Sequence, residues 1–229
     1  RVSTNLTRQL FCYDCILNFP PRHQFLTQIP STMLPPIERH PFPPFLPHDA
    51  KVLIMGTFPP KPIRWSMEFY YPNKTNDFWR IMGLIFYSDP FHFRDDATGA
   101  FRRNDIEAFL REKGIALHDT GAAIRRLKDN AADKFLEIVE PVNLAALLSE
   151  MPECRFIATT GEKAAGVIAE LTSTPLPKIG EIVTTVWGDD HRHLSLTRMP
   201  STSRAYPLSL EKKAASYRQL FIAAGILPA

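Results

Sequence analysis

The sequence lacks any long apolar run. Its most apolar stretches, such as KVLIMG at residues 51–56, are about six residues long. A membrane-spanning helix needs roughly 18 to 20 consecutive apolar residues. The N-terminus also lacks an apolar stretch followed by a small-residue cleavage site, so no secretory signal is predicted. We therefore expect a soluble cytoplasmic protein with no membrane partner.

Cysteine is scarce, with only Cys12, Cys15 and Cys154 in the chain. The first two form a C-x-x-C pair, which could be half of a metal site or a redox pair. Since the chain has no second such pair, a four-thiolate zinc or iron–sulfur site cannot form within it. We interpret the pair as incidental reduced thiols and expect neither a metal nor another cofactor.

The excess of positive charge is small, and two common motifs are missing. A net charge of +3 permits a local nucleic-acid-binding patch without indicating one. There is no G-x-S-x-G nucleophile elbow and no G-x-G-x-x-G after KVLIMG. These absences argue against a serine α/β hydrolase and a dinucleotide-binding domain. The length of 229 residues, 45% of them hydrophobic, is typical of one globular domain, with or without a tail.

Proline is concentrated at the start of the chain. Nine of the 21 prolines lie within residues 1–50, which predicts mostly extended, irregular structure there. We divide the chain into a proline-rich extension at 1–38 and a folded domain at 39–229. We also hypothesise that translation begins at or near Met33 and that the preceding segment is a leader or an addition. Deleting residues 1–32 should then leave the melting temperature unchanged.

From Lys51 onward, short apolar runs alternate with amphipathic segments. Strands are predicted at 51–56, 115–119, 155–161, 181–187 and 192–199, and helices at 78–86, 105–113, 144–151, 162–171 and 209–225. Asn76 or Thr75, Asn104 and Asn143 are the predicted helix caps. The alternation predicts an α/β three-layer sandwich whose largely parallel central sheet of about four to five strands is flanked by helices. Ligands bind beyond the C-terminal strand ends of such sheets, which places GTFPP, HDTG, TTG and RMPSTSR on one rim.

One stretch fits neither a core helix nor a surface loop. EFYYPNKTNDFWRIMG, at 68–83, combines five aromatic rings with two asparagines around a turn-like centre. It therefore offers flat apolar faces and amide groups, each of which is both a donor and an acceptor, in one place.

These loops resemble those of the uracil-DNA glycosylase superfamily, and most closely its hypoxanthine-DNA glycosylase and mismatch-specific glycosylase branches. The matching motifs are Gly56-Thr57-Phe58-Pro59, then Tyr70-Tyr71 through Asn76-Asp77-Phe78-Trp79, and finally Met199-Pro200-Ser201-Thr202-Ser203. The likeness runs in this order from about Arg39 to the C-terminus. It implies the uracil-DNA glycosylase-like α/β fold and a monomeric, monofunctional DNA glycosylase of base excision repair. Such an enzyme hydrolyses the N-glycosidic bond of a deaminated base, hypoxanthine or uracil, in DNA.

The resemblance also assigns roles to individual residues. Gly56, Thr57 and Phe58 would bind the base through the loop backbone, and Tyr71 would stack on it. Many family members carry a catalytic Asp or Asn where this chain has Phe58, which cannot activate water. The hypoxanthine branch uses the asparagine of Asn-x-Phe-Trp instead, which makes Asn76 the candidate catalytic residue. Asn76 is equally suited to cap the following helix, and both roles can hold together.

The remaining candidates lie on the other loops of the rim. Asp119 and Thr160 are expected to line the base pocket, Pro200, Ser201 and Ser203 to contact phosphates, and Arg204 to fill the gap left by the flipped base. His118 should not act jointly with Asp119, because adjacent strand residues point to opposite faces. Since Phe58 is chemically inert, the alternative is a catalytically inactive module of the same fold that binds damaged or single-stranded nucleic acid.

Overall fold

The computed structural model describes residues 34–128 and 133–229. Met33, the C-x-x-C pair and the predictions for residues 1–32 lie outside this part of the chain. The division between an extension at 1–38 and a domain at 39–229 stays a prediction. In the described part, no helix is both long and apolar enough to cross a bilayer.

The central sheet has the predicted α/β architecture. In chain order the elements are β1 (Ile37–Arg39), β2 (Val52–Gly56), α1 (Phe78–Tyr87), α2 (Arg103–Lys113), β3 (Ile115–Asp119), β4 (Gly121–Arg126), β5 (Leu136–Pro141), α3 (Leu144–Ser149), β6 (Phe156–Thr159), α4 (Glu162–Thr172), β7 (Ile182–Trp187), β8 (Arg192–Arg198) and α5 (Leu210–Ala223). The sheet has the order β3-β2-β6-β8-β7. Its first four strands are parallel, and β7 pairs with β8 in the antiparallel direction. This confirms the predicted largely parallel sheet.

The apolar side chains of β2 enter two separate cores. Val52 and Ile54 pack in a cluster with buried residues of α1, α2 and α5. Leu53 and Met55 pack in a second cluster with residues of α3 and α4. Because side chains alternate between the faces of a strand, a sheet covered on both faces needs strands that are apolar throughout. The continuous run VLIMG, buried at every position, satisfies that need.

Two of the predicted helix ends, at Gly114 and Asn143, are formed by the residues that the sequence indicated, and one, at Asn104, is not. Gly114 ends α2 with a φ of 64°, in the left-handed region that glycine enters at little cost. The Asn143 side chain accepts the backbone N–H of Ala146 at 3.0 Å and so caps α3 as predicted. The predicted Asn104 cap is wrong, since α2 begins at Arg103 and Asn104 lies within its first turn.

A second, three-stranded antiparallel sheet of order β1-β4-β5 was not predicted. β1 lies in the proline-rich segment and owes its extended form to pairing with β4, about 86 residues along the chain. A local pattern of three residues cannot reveal such a partner. This sheet matters for the site, because β4 starts directly after β3 and the Gly121 N–H donates to the Thr57 carbonyl at 3.1 Å. It thereby fixes the loop that follows β2.

Candidate active site

A cavity of about 340 Å³ lies at the C-terminal ends of the parallel strands. It is lined by the loop after β2, the ends of β3 and β6, the segment 71–76 and the segment 201–205. Ten of the predicted site residues line it: Gly56, Thr57, Phe58, Tyr71, Asn76, Asp119, Thr160, Ser201, Ser203 and Arg204. Pro200 lies outside the lining and is buried, with its carbonyl accepting the Tyr217 hydroxyl at 3.1 Å.

Tyr71 forms an aromatic wall of this cavity. Its ring stacks on Phe78 with centroids 3.8 Å apart, and its hydroxyl lies 3.2 Å from Thr160 Oγ1. The residue has a φ of 51°, a conformation that costs a non-glycine residue about 1–3 kcal/mol and persists only where the surroundings enforce it. Phe78 and Trp79 are fully buried behind it. One face of the tyrosine ring is thus backed by the core, and the residue lines the cavity.

The N-cap position of helix α1 is Asp77, but the Asn76 side chain caps the first turn of the helix, and this bond also fixes how the amide is oriented. Its Oδ1 accepts the backbone N–H of Phe78 at 2.8 Å. An amide nitrogen could not accept that bond, so the Nδ2 group is the one left for the cavity. Nδ2 donates to no other residue in the part of the chain that the structure describes. Asn76 can therefore offer the cavity a hydrogen-bond donor while it remains a cap.

Asp119 enters the cavity as an oriented carboxylate. Its Oδ2 accepts from His40 Nε2 at 3.0 Å, and both side chains are buried. Its Oδ1 lies over Gly56, where an added Cβ would come within 2.6 Å of it. Gly56 is thus required for the carboxylate to sit where it does. Sequence reasoning missed His40, because a lone histidine in a proline-rich stretch carries no local signal of its partner.

His118 takes no part in this pair. Its Nδ1 lies 2.7 Å from the Tyr70 hydroxyl, within the aromatic core. Burial, aided by the nearby His40, lowers the pKa of His118 to about 4. The ring is therefore neutral at physiological pH, and its hydrogen bond goes to Tyr70 and not to Asp119.

Asp133 is a second carboxylate of the cavity that sequence reasoning missed. It begins the 3₁₀ turn Asp133–Phe135, and its Oδ2 accepts from the Thr57 hydroxyl at 3.1 Å. Burial raises the pKa of Asp133, and the charge of Asp119 adds to that rise, while the hydrogen bond from Thr57 opposes it. An acidic residue in a polar loop resembles any solvated side chain, so only the fold reveals its position.

Phe58 is a packed wall of the cavity. Its ring meets His40 edge-on at 5.3 Å, and the Arg126 guanidinium carbon lies 5.8 Å from its centroid. Arg126 also donates to the Pro59 carbonyl at 3.2 Å and pairs with Glu38 at 2.9 Å. The loop after β2 is thus held rigidly by an ion pair to β1. Its chemistry comes from its backbone and its neighbours, since the phenyl ring has no polar atom.

A buried ion pair fixes the last loop of the rim. Lys213 of α5 donates to Asp77 Oδ2 at 3.0 Å and to the Ser203 carbonyl at 2.8 Å. Arg80 donates to the other carboxylate oxygen at 2.9 Å. Burial alone would raise the pKa of Asp77, but the bonds and charges of Lys213 and Arg80 outweigh it and hold that pKa below its usual value. The Asp77 N–H also donates to Thr202. These bonds join the start of α1, α5 and the segment 201–205.

The chain is similar to known proteins in both sequence and fold. The chain is 29% identical over 124 residues, which make up 54% of its length and 71% of the relative, to the hypoxanthine DNA glycosylase of Methanosarcina barkeri. Its fold matches a solution NMR structure from Methanosarcina acetivorans with a TM-score of 0.55 and 20% identity. That match covers 83% of this chain and 99% of the other, which is provisionally assigned as a uracil DNA glycosylase. No family model matches the chain. The predicted resemblance to the uracil-DNA glycosylase superfamily and the predicted fold are confirmed.

Proposed function

We propose that this protein is a monofunctional DNA glycosylase of base excision repair that hydrolyses the N-glycosidic bond of a deaminated base, hypoxanthine or uracil. The observation that carries the proposal is the combination, in one cavity at the strand ends, of a backed aromatic ring, an amide donor and an oriented carboxylate. The likeness to a hypoxanthine DNA glycosylase supports this reading and favours hypoxanthine. Action as a cytoplasmic monomer is part of the proposal.

The cavity suits a base that has rotated out of its duplex. Flipping a base costs a few kcal/mol, and stacking on an aromatic side chain returns about 1–3 kcal/mol. Tyr71 offers the stacking face, and the backbone N–H groups of Thr57 and Phe58 donate to no other described residue. These two donors and Nδ2 of Asn76 suit the carbonyl oxygens that deamination creates on a base. Unmodified adenine and cytosine carry amino groups at those positions. These amino groups are also donors, so they cannot accept the hydrogen bonds that the cavity offers.

Each polar group then has a task in the hydrolysis. As the bond between C1′ and the base nitrogen breaks, its electron pair leaves with the base and the sugar becomes cationic. Nδ2 of Asn76 and the loop N–H groups stabilise the departing anion. The free Oδ1 of Asp119 stabilises the cation and takes a proton from the water that attacks C1′. The departing base takes up a proton from solvent, which balances the reaction.

The loop at 201–205 would hold the DNA. Ser201 and Ser203 offer hydroxyl groups at the rim, which suit phosphate oxygens and fix the register of the strand. Arg204 is half-exposed and lies between the cavity and solvent, where it can enter the space left by the flipped base. Pro200 is buried beneath the loop, so its proposed contribution to DNA binding is to shape the loop.

A panel of labelled oligonucleotides, single-stranded and duplex, each with one deaminated base, tests the proposed function. We expect strand breaks only after alkali, since hydrolysis without a Schiff base leaves an intact abasic strand, and we expect hypoxanthine or uracil to be the base released. Strand breaks before alkali would contradict a monofunctional mechanism. DNA binding without an abasic product from any substrate would favour the inactive module, which the inert Phe58 makes the second candidate.

A further inference from the structure

A second depression adjoins the candidate active site. It has a volume of about 350 Å³ and shares Thr75 and Arg204 with the cavity. Four of its lining side chains are basic, none is acidic, and several are aromatic. We call it the basic–aromatic groove and define it by Lys74, Arg80, Phe91, Arg94, Phe101 and Arg204. Apart from Arg204, its residues have no task in the proposed binding and hydrolysis of the flipped base.

Phe91 presents a flat apolar surface in this groove. The residue is 49% exposed, although a phenylalanine loses free energy by contact with water. Its backbone N–H donates to Asp89 Oδ1 at 2.8 Å, which fixes the local turn. The guanidinium carbons of Arg80 and Arg94 lie 5.6 and 6.0 Å from its ring centroid. An exposed ring beside two cations is suited to stack on a nucleic-acid base.

The basic groups of the groove differ in how far they are neutralised. Arg80 is paired with Asp77 at 2.9 Å, and Arg204 lies 3.5 Å from the same carboxylate. Lys74 and Arg94 have no carboxylate partner among the residues that the structure describes. Unpaired cations beside an apolar ring attract the phosphates that link stacked bases. A neighbouring depression that shares Phe91 and Arg94 is lined by Asp89, Asp95, Asp96 and Arg102, so it favours phosphates less than the groove does.

We propose that the basic–aromatic groove binds one unpaired nucleotide that flanks the flipped one on the same strand. Its base stacks on Phe91, and the phosphates on either side of it meet Lys74 and Arg94. The claim that this nucleotide is on the same strand as the flipped one rests on the proposed function, which places the flipped base in the adjoining cavity. The groove and the cavity share Arg204. The groove itself requires only that the protein binds single-stranded nucleic acid. We therefore expect this side of the substrate strand to be held unpaired.

Equilibrium binding to single-stranded oligonucleotides, measured by fluorescence anisotropy, tests this inference independently of catalysis. The probes carry a central 2′-fluoro nucleotide with hypoxanthine, which resists hydrolysis, and have flanks on both sides, on the 5′ side only or on the 3′ side only. Phe91→Ala should weaken binding of the fully flanked probe roughly 5- to 150-fold, as expected for one lost base stack. The Phe91→Ala variant should bind one of the two truncated probes as tightly as wild type does, because that probe lacks the flank that occupies the groove. Val186→Ala, at an exposed apolar residue of the edge strand β7, is the matched control.

The salt dependence of the same binding tests the phosphate contact. Arg94→Gln should lower the slope of log K against log salt by about 0.7, the value for one phosphate on a single strand. Lys178→Gln, at an exposed residue outside the groove, should leave the slope unchanged. The proposal would be overturned if Phe91→Ala lost the same affinity for all three probes, or if it bound all three as tightly as wild type does. If no base is excised yet the dependence on Phe91 and the flank persists, the proposed function fails while the groove stands.

Discussion

Tyr71 carries the clearest energetic signature of the site at the level of single residues. Its left-handed backbone conformation is held by stacking on Phe78 and by the contact with Thr160. The conformation lowers the stability of the folded state, and these contacts offset that cost. Such strain belongs where geometry serves binding. Ser88 and Ser173 adopt the same conformation at helix ends, whereas Tyr71 adopts it in the lining of the cavity.

Tyr71→Ala should therefore lower kcat/KM for excision by about 5- to 150-fold, equivalent to about 1–3 kcal/mol of lost stacking. Tyr71→Phe keeps the ring and loses only the contact with Thr160, so its kcat/KM should remain within a few-fold of the wild-type value. Steady-state excision assays with both variants provide the comparison. A large loss of kcat/KM in Tyr71→Phe would show that the hydroxyl group, and not the face of the ring, is what contributes to excision.

Asp133 should lower the stability of the folded protein at neutral pH. Because its pKa is raised in the folded state, the ionised side chain opposes folding, and this penalty grows as pH rises above the usual carboxyl range. Asp133→Asn keeps an acceptor for Thr57 and removes the charge. We expect the free energy of unfolding at pH 7 to rise by about 0.5–2 kcal/mol, as measured by denaturant unfolding. The gain in stability should vanish near pH 4. A variant that is less stable than wild type at pH 7 would contradict this account.

Among the elements, helices α1 and α5 and the 201–205 loop act as one unit through Asp77 and Lys213. The pair is buried, and each partner is left with an uncompensated charge if the other is removed. The loop that would hold DNA is therefore positioned by side chains outside the cavity.

Lys213→Met should lower the free energy of unfolding by about 3 kcal/mol at pH 7, near the lower end for a broken buried pair because Arg80 still contacts Asp77. The pKa of Asp77 is depressed from its ordinary value of 3.8, so its contribution is complete above about pH 4 and is lost as pH falls further. Denaturant unfolding of Asp77→Asn should thus differ from wild type at neutral pH and converge on it in acid.

A pair of exposed side chains serves as the control for this experiment. Arg39 and Glu140 lie 3.1 Å apart, with 76% and 54% of their side chains exposed. Glu140→Gln should change the free energy of unfolding by less than about 0.5 kcal/mol. Wild-type stability of Lys213→Met at pH 7 would show that the buried pair does not hold the loop.

The elements also show what the sequence could and could not predict. The runs at β2 and β3 are apolar at consecutive positions and end at polar loops, so both the parallel sheet and the rim at its C-terminal edge were predictable. The antiparallel sheet was not, because β1 becomes a strand only through its distant partner β4. His40 and Asp133 were missed for the same physical reason. Each acquires its role from a contact with a residue far along the chain.

At the largest scale, the α/β domain of residues 35–229 carries two depressions at one edge of its central sheet. The cavity and the basic–aromatic groove lie side by side there, joined by Arg204. The net charge of only +3 means that long-range attraction to DNA is weak. Affinity should then depend on local contacts in these two depressions, and so on lesions that flip easily.

The central claim is that the cavity hydrolyses the N-glycosidic bond with Asn76 and Asp119 as its polar groups. Single-turnover release of free hypoxanthine from a single-stranded oligonucleotide, followed by chromatography of the base, tests it most directly. Wild type should release the base, Asn76→Ala should be about 10²–10³-fold slower, as for one lost preorganised donor, and Asp119→Asn should be slowed further. Asn76→Asp should fold and bind DNA, since aspartate still caps α1. Release by Asn76→Ala and Asp119→Asn at the wild-type rate would contradict the claim.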